Sequence, residues 1–244
     1  MSNDVLMESL SEPLNGATTA KVDINTGYAN LTIDPQAGEQ ELASGTLQYN
    51  ERLGPPTRSV SSDQGRATLT LRGQDAERSW FRLPWETLKG GIEWQIHLNP
   101  TVSSEITAHS NGGNVKLDLA GMAVTLVSAD AGAGNVDVVL PNRAADLGVA
   151  ARSGAGNVTV EIGAGITGSS TVNAHSGAGN VSVRIPSGIA AKVHASTGLG
   201  KLMMDSRFTR IEESTYQSSG YDAAANKVEI TVHSGAGNVS VGTM

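Results

Sequence analysis

The sequence predicts an all-β repeat solenoid, a stack of two-stranded rungs of roughly 20–23 residues. The pentapeptide Gly-Ala-Gly-Asn-Val occurs four times, at 132–136, 154–158, 177–181 and 235–239, and related copies occupy 27–31, 111–115 and 198–202. From 111 to 198 the copies begin 21, 22, 23 and 21 residues apart. A period of this size is typical of stacked repeats, in which each unit buries its apolar face only against its neighbours.

Apolar and polar residues alternate on both sides of the pentapeptide. In one repeat Val149 and Ala151 precede the glycines, and Val158, Val160 and Ile162 follow them. Successive side chains of a strand point to opposite faces, so each repeat is predicted to hold two strands joined by a glycine corner, each with one buried face.

The same alternation extends towards the N-terminus, at 22–24, 31–33 and 94–98 and more weakly at 47–49 and 69–71, for up to ten rungs. We therefore expect one continuous domain. Residues 1–110 would form N-terminal rungs with irregular insertions, and residues 111–244 would form the regular rungs.

The corner residues have predicted roles of their own. Gly134, Gly156 and Gly179 are expected to adopt positive φ, which glycine tolerates without strain. The asparagine that follows has both a donor and an acceptor on a short side chain, so stacked copies can bond from rung to rung. We interpret these residues as an internal structural ladder, with a sugar- or ion-binding row as the alternative, and expect Lys201 to interrupt it. The ladder comprises Asn114, Asn135, Asn157, Asn180 and Asn238.

The C-terminal end of the stack is predicted to be open. Val239 and Val241 belong to the last repeat and only three residues follow Val241. Solenoids normally cap such ends. Either the segment 206–227 folds over this end, or end-to-end self-association or another partner covers it.

Composition excludes several functions. The net charge is −7 with no Lys/Arg run, which argues against nucleic acid or an anionic membrane surface as partner. The chain contains no cysteine, so it has neither disulfides nor thiolate ligands. It has no apolar stretch long enough to insert into a membrane and no signal-peptide pattern at its start. Any signal or anchor is expected to lie outside these 244 residues.

Longer motifs resemble a known family. The segments Glu8–Leu14 (Glu-Ser-Leu-Ser-Glu-Pro-Leu), Trp94–Pro100 (Trp-Gln-Ile-His-Leu-Asn-Pro) and Gly220–Ile230, together with the serial pentapeptides, resemble the bacterial toast-rack domains. These occur in proteins named "putative adhesin" and at the C-terminus of Lia-type cell-envelope stress regulators. The resemblance covers nearly the whole chain and implies a stack of β-rungs that is similar to a right-handed β-helix. It implies no catalytic residues and no cofactor.

Two outward-facing columns of polar residues could carry chemistry. In the first column, each repeat contributes the residue that stands two positions before its pentapeptide. These residues are His109, Asp130 and His175, and also Arg152, Ser196 and His233. With rungs ~4.8 Å apart, His109 and Asp130 could share a proton or a metal. The alternative is a solvated polar face. In the other column Glu161, Arg184 and Asp205 are predicted to form an exposed charge ladder of successive rungs.

An insertion between 78 and 86 concentrates aromatic residues. Trp80, Phe81 and Trp85 could form a patch that contacts carbohydrate or lipid, or a plug that covers the core.

The sequence thus favours a non-catalytic structural or interaction module of the cell envelope with a protein or cell-surface partner, either an adhesin-like scaffold or a domain of a stress regulator. The alternative is a β-helix carbohydrate-active enzyme or carbohydrate-binding module. A pair of carboxylates with an aromatic residue in one groove would favour the enzyme.

Overall fold

The structure, a computed structural model, describes residues 5–74 and 91–244. Its strands in the first part of the chain are β1 (Val5–Pro13), β2 (Thr19–Asn25), β3 (Asn30–Asp34), β4 (Glu41–Asn50), β5 (Thr57–Asp63), β6 (Arg66–Arg72), β7 (Glu93–Leu98), β8 (Ser103–Ser110), β9 (Val115–Asp118), β10 (Val124–Ala131), β11 (Val136–Val139) and β12 (Arg143–Ala145). The remaining strands are β13 (Gly148–Ser153), β14 (Val158–Glu161), β15 (Gly165–Thr167), β16 (Ser169–Ala178), β17 (Val181–Ile185), β18 (Ala190–Leu199), β19 (Leu202–Met204), β20 (Phe208–Arg210), β21 (Thr215–Ser218), β22 (Lys227–Ala236) and β23 (Val239–Thr243).

These strands form two long sheets that face each other. The first sheet, called sheet A, has the order β1-β4-β7-β3-β9-β11-β14-β17-β23-β19, and the second, sheet B, has the order β20-β21-β18-β22-β16-β13-β10-β8-β2-β6-β5. The short strands β12 and β15 pair separately, between two rungs. The predicted stack of β-rungs is confirmed. In the described ranges eight rungs each contribute one parallel strand to sheet B and the next strand along the chain to sheet A.

The core lies between the two sheets and follows the predicted alternation. Val149 and Ala151 of β13 and Val158 and Val160 of β14 are all buried. Their neighbours along each strand, such as Thr159, lie on the outer faces. Because stacked strands keep the same register, each buried residue also contacts its counterparts in the adjacent rungs, which extends one apolar core through the stack.

The order of the rungs in space differs from their order in the sequence at both ends of the stack. Strand β23 lies between β17 and β19, and β22 lies between β16 and β18. The last repeat is therefore inserted into the stack, and Val239 and Val241 are fully buried. The prediction that these two valines form an open end is wrong. At the other end the rung of β2 and β3 lies between the rung of β6 and β7 and the rung of β8 and β9, although β6 and β7 follow it in the sequence.

Antiparallel strands close sheet B at its C-terminal end. Strand β21 pairs with β18, and β20 pairs with β21, so part of the segment 206–227 covers this edge. In the described part of the chain, sheet A instead ends on β19, a strand of three residues with β23 as its one partner. Leu199 and Met203 are exposed beside this edge, at 76% and 50%. The C-terminal end is thus capped on one sheet and open on the other.

The corner glycines are required for a different reason from the one predicted. Gly134 and Gly156 do not adopt positive φ, and Gly179, with φ of 158°, is close to extended. A Cβ atom at Gly156 would instead collide with the carbonyl oxygen of Gly134 in the next rung and lie 2.7 Å from its carbonyl carbon. Close backbone stacking therefore selects glycine at this corner.

Candidate interaction surfaces

The outer face of sheet B places the predicted polar column along one register position. In space the column runs from His109 through Asp130, Arg152, His175 and His233 to Ser196, which we call the histidine column. Because the last repeat is inserted, His175 and His233 are direct neighbours. The sequence order had placed Ser196 between them.

His109 and Asp130 occupy adjacent positions but have separate partners. His109 Nε2 lies 2.9 Å from Asn111 Oδ1, and Asp130 Oδ2 accepts a hydrogen bond from the Ser128 hydroxyl at 3.1 Å. Asp130 Oδ1 is also 3.9 Å from a guanidinium nitrogen of Arg152. Within the ranges that the structure describes, no three His, Asp or Glu side chains are grouped so as to hold a metal.

His175 and His233 form a stacked pair. Their ring centroids are 5.1 Å apart and the ring planes differ by 8°. His233 Nδ1 lies 2.9 Å from the Ser196 hydroxyl. The pKa of His175 lies below its ordinary value of 6.5. The main cause is partial burial of the ring, and the neighbouring His233 and Arg152 add to it.

The stacked pair of His175 and His233 predicts that the stability of the protein depends on pH. A base whose pKa is lower in the folded state binds fewer protons there than in the unfolded state. The free energy of unfolding is therefore undiminished by His175 above pH 6.5, and it decreases as the pH falls below that value. We expect acidification from pH 7.5 to 5.5 to destabilise the wild type more than His175→Asn, measured by urea unfolding at low salt. His109→Asn, on the same face without a neighbouring histidine, is the control. An equal loss in wild type and His175→Asn would contradict the prediction.

The corner asparagines form a continuous hydrogen-bonded row at the surface. Each asparagine side-chain Oδ1 accepts the backbone N–H of the next asparagine in space, always at 2.9 Å. The row is Asn30, Asn114, Asn135, Asn157, Asn180 and Asn238. It is not internal, since most of these side chains are exposed at the corner. Lys201 does not interrupt the row but ends it, donating its N–H to Asn238 Oδ1.

A second row, which the sequence reading missed, lies inside the corner. Ser153, Ser176 and Ser234 are buried, and each hydroxyl donates a 2.7 Å hydrogen bond to a glycine carbonyl of the adjacent rung. The signal was present, because serine precedes three of the four exact pentapeptides. In the fourth the equivalent residue is Ala131.

The outer face of sheet A holds the predicted charge pair but not the predicted ladder. Arg184 donates a 2.6 Å hydrogen bond to Glu161. The next residue in register after Arg184 is Gly242, because β23 separates β17 from β19. Asp205 therefore lies beyond the pair, where it accepts the backbone N–H of Arg207. Further along the sheet, His97 Nδ1 lies 2.5 Å from Asp34 Oδ1.

The aromatic insertion lies outside the described residues, so Trp80, Phe81 and Trp85 remain an untested prediction. The described residues next to this insertion form a shallow apolar groove with a volume of about 40 Å³. Tyr28, Tyr49 and Trp94 line this groove, and Trp94 Nε1 donates to the Gln48 carbonyl at 2.9 Å. No carboxylate is among the described residues that line it.

Comparison with solved structures shows where this fold recurs. A "putative cell adhesion protein" from Clostridium sporogenes ATCC 15579 shares 21% identity with a TM-score of 0.71, over 99% of this chain and 100% of that one. A "putative adhesin" from Bacteroides fragilis NCTC 9343 shares 10% identity with a TM-score of 0.35, over 98% of both chains. At this identity the first likeness shows a common fold, and the second carries no argument. No curated protein matches the chain.

Two family models match the sequence. The model described as "Cell wall-active antibiotics response LiaF, C-terminal" matches residues 146–241. The model described as "N-terminal domain of toast_rack, DUF2154" matches residues 2–161. Since the second match spans well over half of the 244 residues, and the structure has the stacked β-rungs expected of such a domain, the chain belongs to the toast-rack family.

Proposed function

We propose that this chain is a non-catalytic interaction module of the bacterial cell envelope, acting as an adhesin-like scaffold or as a domain of an envelope-stress regulator. The observation that carries the proposal is the construction of its surfaces. The outer faces of sheets A and B present strand side chains at fixed register, and the apolar groove has no carboxylate among its described lining residues. This favours a scaffold that binds a partner over a glycosidase, which requires paired carboxylates.

Similar proteins support the envelope assignment. The toast-rack family, the match to the LiaF C-terminal model and the fold shared with a protein named for cell adhesion point in the same direction. None of these names describes an enzyme. In the parts of the chain that the structure describes, no helix is both long and apolar enough to cross a membrane.

We also propose that residues 1–110 and 111–244 act as one unit. Strand β8, before the division, pairs with β10, which follows it, so both sheets continue across residue 110. The open edge at β19 is the surface that we propose for end-to-end self-association. Its apolar Met203 is half exposed, and among the strands that the structure describes none pairs with β19 on the side away from β23.

Photo-crosslinking in growing cells tests this function. A photoreactive residue at Asn173 probes sheet B, one at Asp137 probes sheet A, and one at Met203 probes the β19 edge. We expect discrete adducts with another protein from one of the two faces, and adducts of twice the chain mass from position 203. Adducts that change when a cell wall-active antibiotic is added would identify the regulator. Constant adducts, with loss of cell attachment when the gene is deleted, would identify the scaffold.

An enzyme would give a different result. Absence of adducts at all three positions, combined with turnover of an envelope polysaccharide by the purified full chain, would overturn the proposed function. Turnover is measured as released reducing sugar, with Glu161→Gln and Asp130→Asn as controls for the outer carboxylates of each sheet.

A further inference from the structure

Three basic side chains follow one another on the outer face of sheet B. Arg152, His175 and His233 share one register position on the adjacent strands β13, β16 and β22. Neighbouring strands lie ~4.8 Å apart, so the three groups span about 10 Å. Hydrogen bonding within the sheet fixes this spacing before any ligand arrives, which reduces the entropy lost on binding.

Each member of the row retains donors for a ligand. His233 contacts the Ser196 hydroxyl through Nδ1, which leaves its Nε2 available. Among the described residues neither ring nitrogen of His175 has a hydrogen-bond partner, since its contact with His233 is a face-to-face stack. The Arg152 side chain is 55% exposed, and its 3.9 Å approach to Asp130 is too long for a hydrogen bond.

The charged group next to the stacked pair in register is a cation, and the carboxylates lie further away. Arg152 faces His175 from β13, and Asp130 lies one strand further, on the far side of Arg152. On β18 the residue in register with His233 is the uncharged Ser196. The backbone N–H of Ala195, also on β18, donates to the Ser214 carbonyl, so Glu212 and Glu213 lie on the far side of β18 from His233. On β22 itself, Glu229 is engaged with His194 at 3.3 Å. Within residues 5–74 and 91–244, no carboxylate forms a hydrogen bond or ion pair with either stacked ring.

We propose that Arg152, His175 and His233 form an acid-dependent binding site for tetrahedral oxyanions, such as phosphate or sulfate groups. Arg152 provides a permanent positive charge in the row. Protonation of His175 on acidification adds a second positive charge one strand away from Arg152, and an oxyanion placed over the row offsets the repulsion between the two. The inference does not depend on the proposed envelope function.

Thermodynamic linkage makes the site measurable without knowing its natural ligand. An anion that prefers the protonated form of His175 must raise the pKa of His175 by the same coupling free energy. We expect sodium sulfate, compared with sodium chloride at equal ionic strength, to raise the pKa of His175 by about 0.5, which corresponds to roughly threefold tighter binding to the protonated form. The readout is an NMR titration of the histidine Cε1–H signals of the full chain between pH 8 and pH 5.

His97 and His109 provide internal controls, because each has a partner outside the row. Arg152→Gln should remove at least half of the sulfate effect at His175. Arg184→Gln, an equally exposed arginine beside a carboxylate on the opposite sheet, should leave it unchanged. Equal sulfate shifts at all histidines, or an unchanged shift in Arg152→Gln, would overturn the proposal, since ionic screening alone would then explain the data.

A second probe distinguishes a single oxyanion from a polymer that carries many. Polyphosphate at pH 5.5 should perturb His175 and His233 in the wild type and lose this effect in Arg152→Gln. Selective shifts with sulfate support a site for one oxyanion group, and selective shifts with polyphosphate alone support a site for a repeated one. No selective shift with either probe rejects the site.

Discussion

Gly156→Ala should lower the free energy of unfolding by about 2 kcal/mol, and Gly156→Val by about 3 kcal/mol or more. The added Cβ would collide with the Gly134 carbonyl in the next rung and lie 2.9 Å from the hydroxyl of Ser153. Relief requires the rungs to separate at the corner, where Ser153 donates its 2.7 Å hydrogen bond to the same carbonyl. The penalty exceeds the gain of about 0.4–1 kcal/mol that alanine provides by restricting the unfolded chain.

Gly188→Ala is the matched control for this prediction. Gly188 has no positive φ, and nothing lies within 4 Å of the Cβ position. Its replacement should change stability by no more than about 0.5 kcal/mol. Urea unfolding of both variants provides the comparison. Equal stability of the two would show that the stacked corner accommodates a side chain.

The periodic pattern was sufficient to predict the rungs, because side-chain alternation depends only on local sequence. Val149, Ala151, Val158 and Val160 are buried as predicted. The reason for the corner glycines was not accessible in the same way. Close approach between rungs is a property of the stack, and a single repeat gives the same sequence signal whether glycine is required for φ or for space.

The spatial order of the rungs was also beyond the sequence. Repeats with nearly identical strands offer similar faces to any neighbouring rung, so the local sequence did not predict that β22 and β23 enter between earlier rungs. That order brings His175 beside His233 and separates Arg184 from Asp205. The candidate surface was therefore predicted as a set of residues, but its neighbour relations became visible only in the assembled sheets.

The free-energy cost of truncating a side chain should depend on where that side chain lies in the assembled stack. Val160 is fully buried between Val138 and Val183 in register, so Val160→Ala should cost about 2 kcal/mol through lost burial and the remaining cavity. Thr159→Ala, one residue away on the outer face, should change stability by no more than about 0.5 kcal/mol. Equal losses at 159 and 160 would mean that the register is wrong by one residue.

Val241→Ala extends this test to the inserted repeat. Val241 belongs to the last strand of the sequence, yet it lies between Val183 and Met204 in register and is 1% exposed. Val241→Ala should therefore lower the free energy of unfolding about as much as Val160→Ala, by roughly 2 kcal/mol, when both are measured by urea unfolding with unchanged m-values. A terminal strand in contact with a single neighbour would lose less, because part of its side chain would already be in water. A loss at Val241 below about half that at Val160 would contradict the insertion of β23 between β17 and β19.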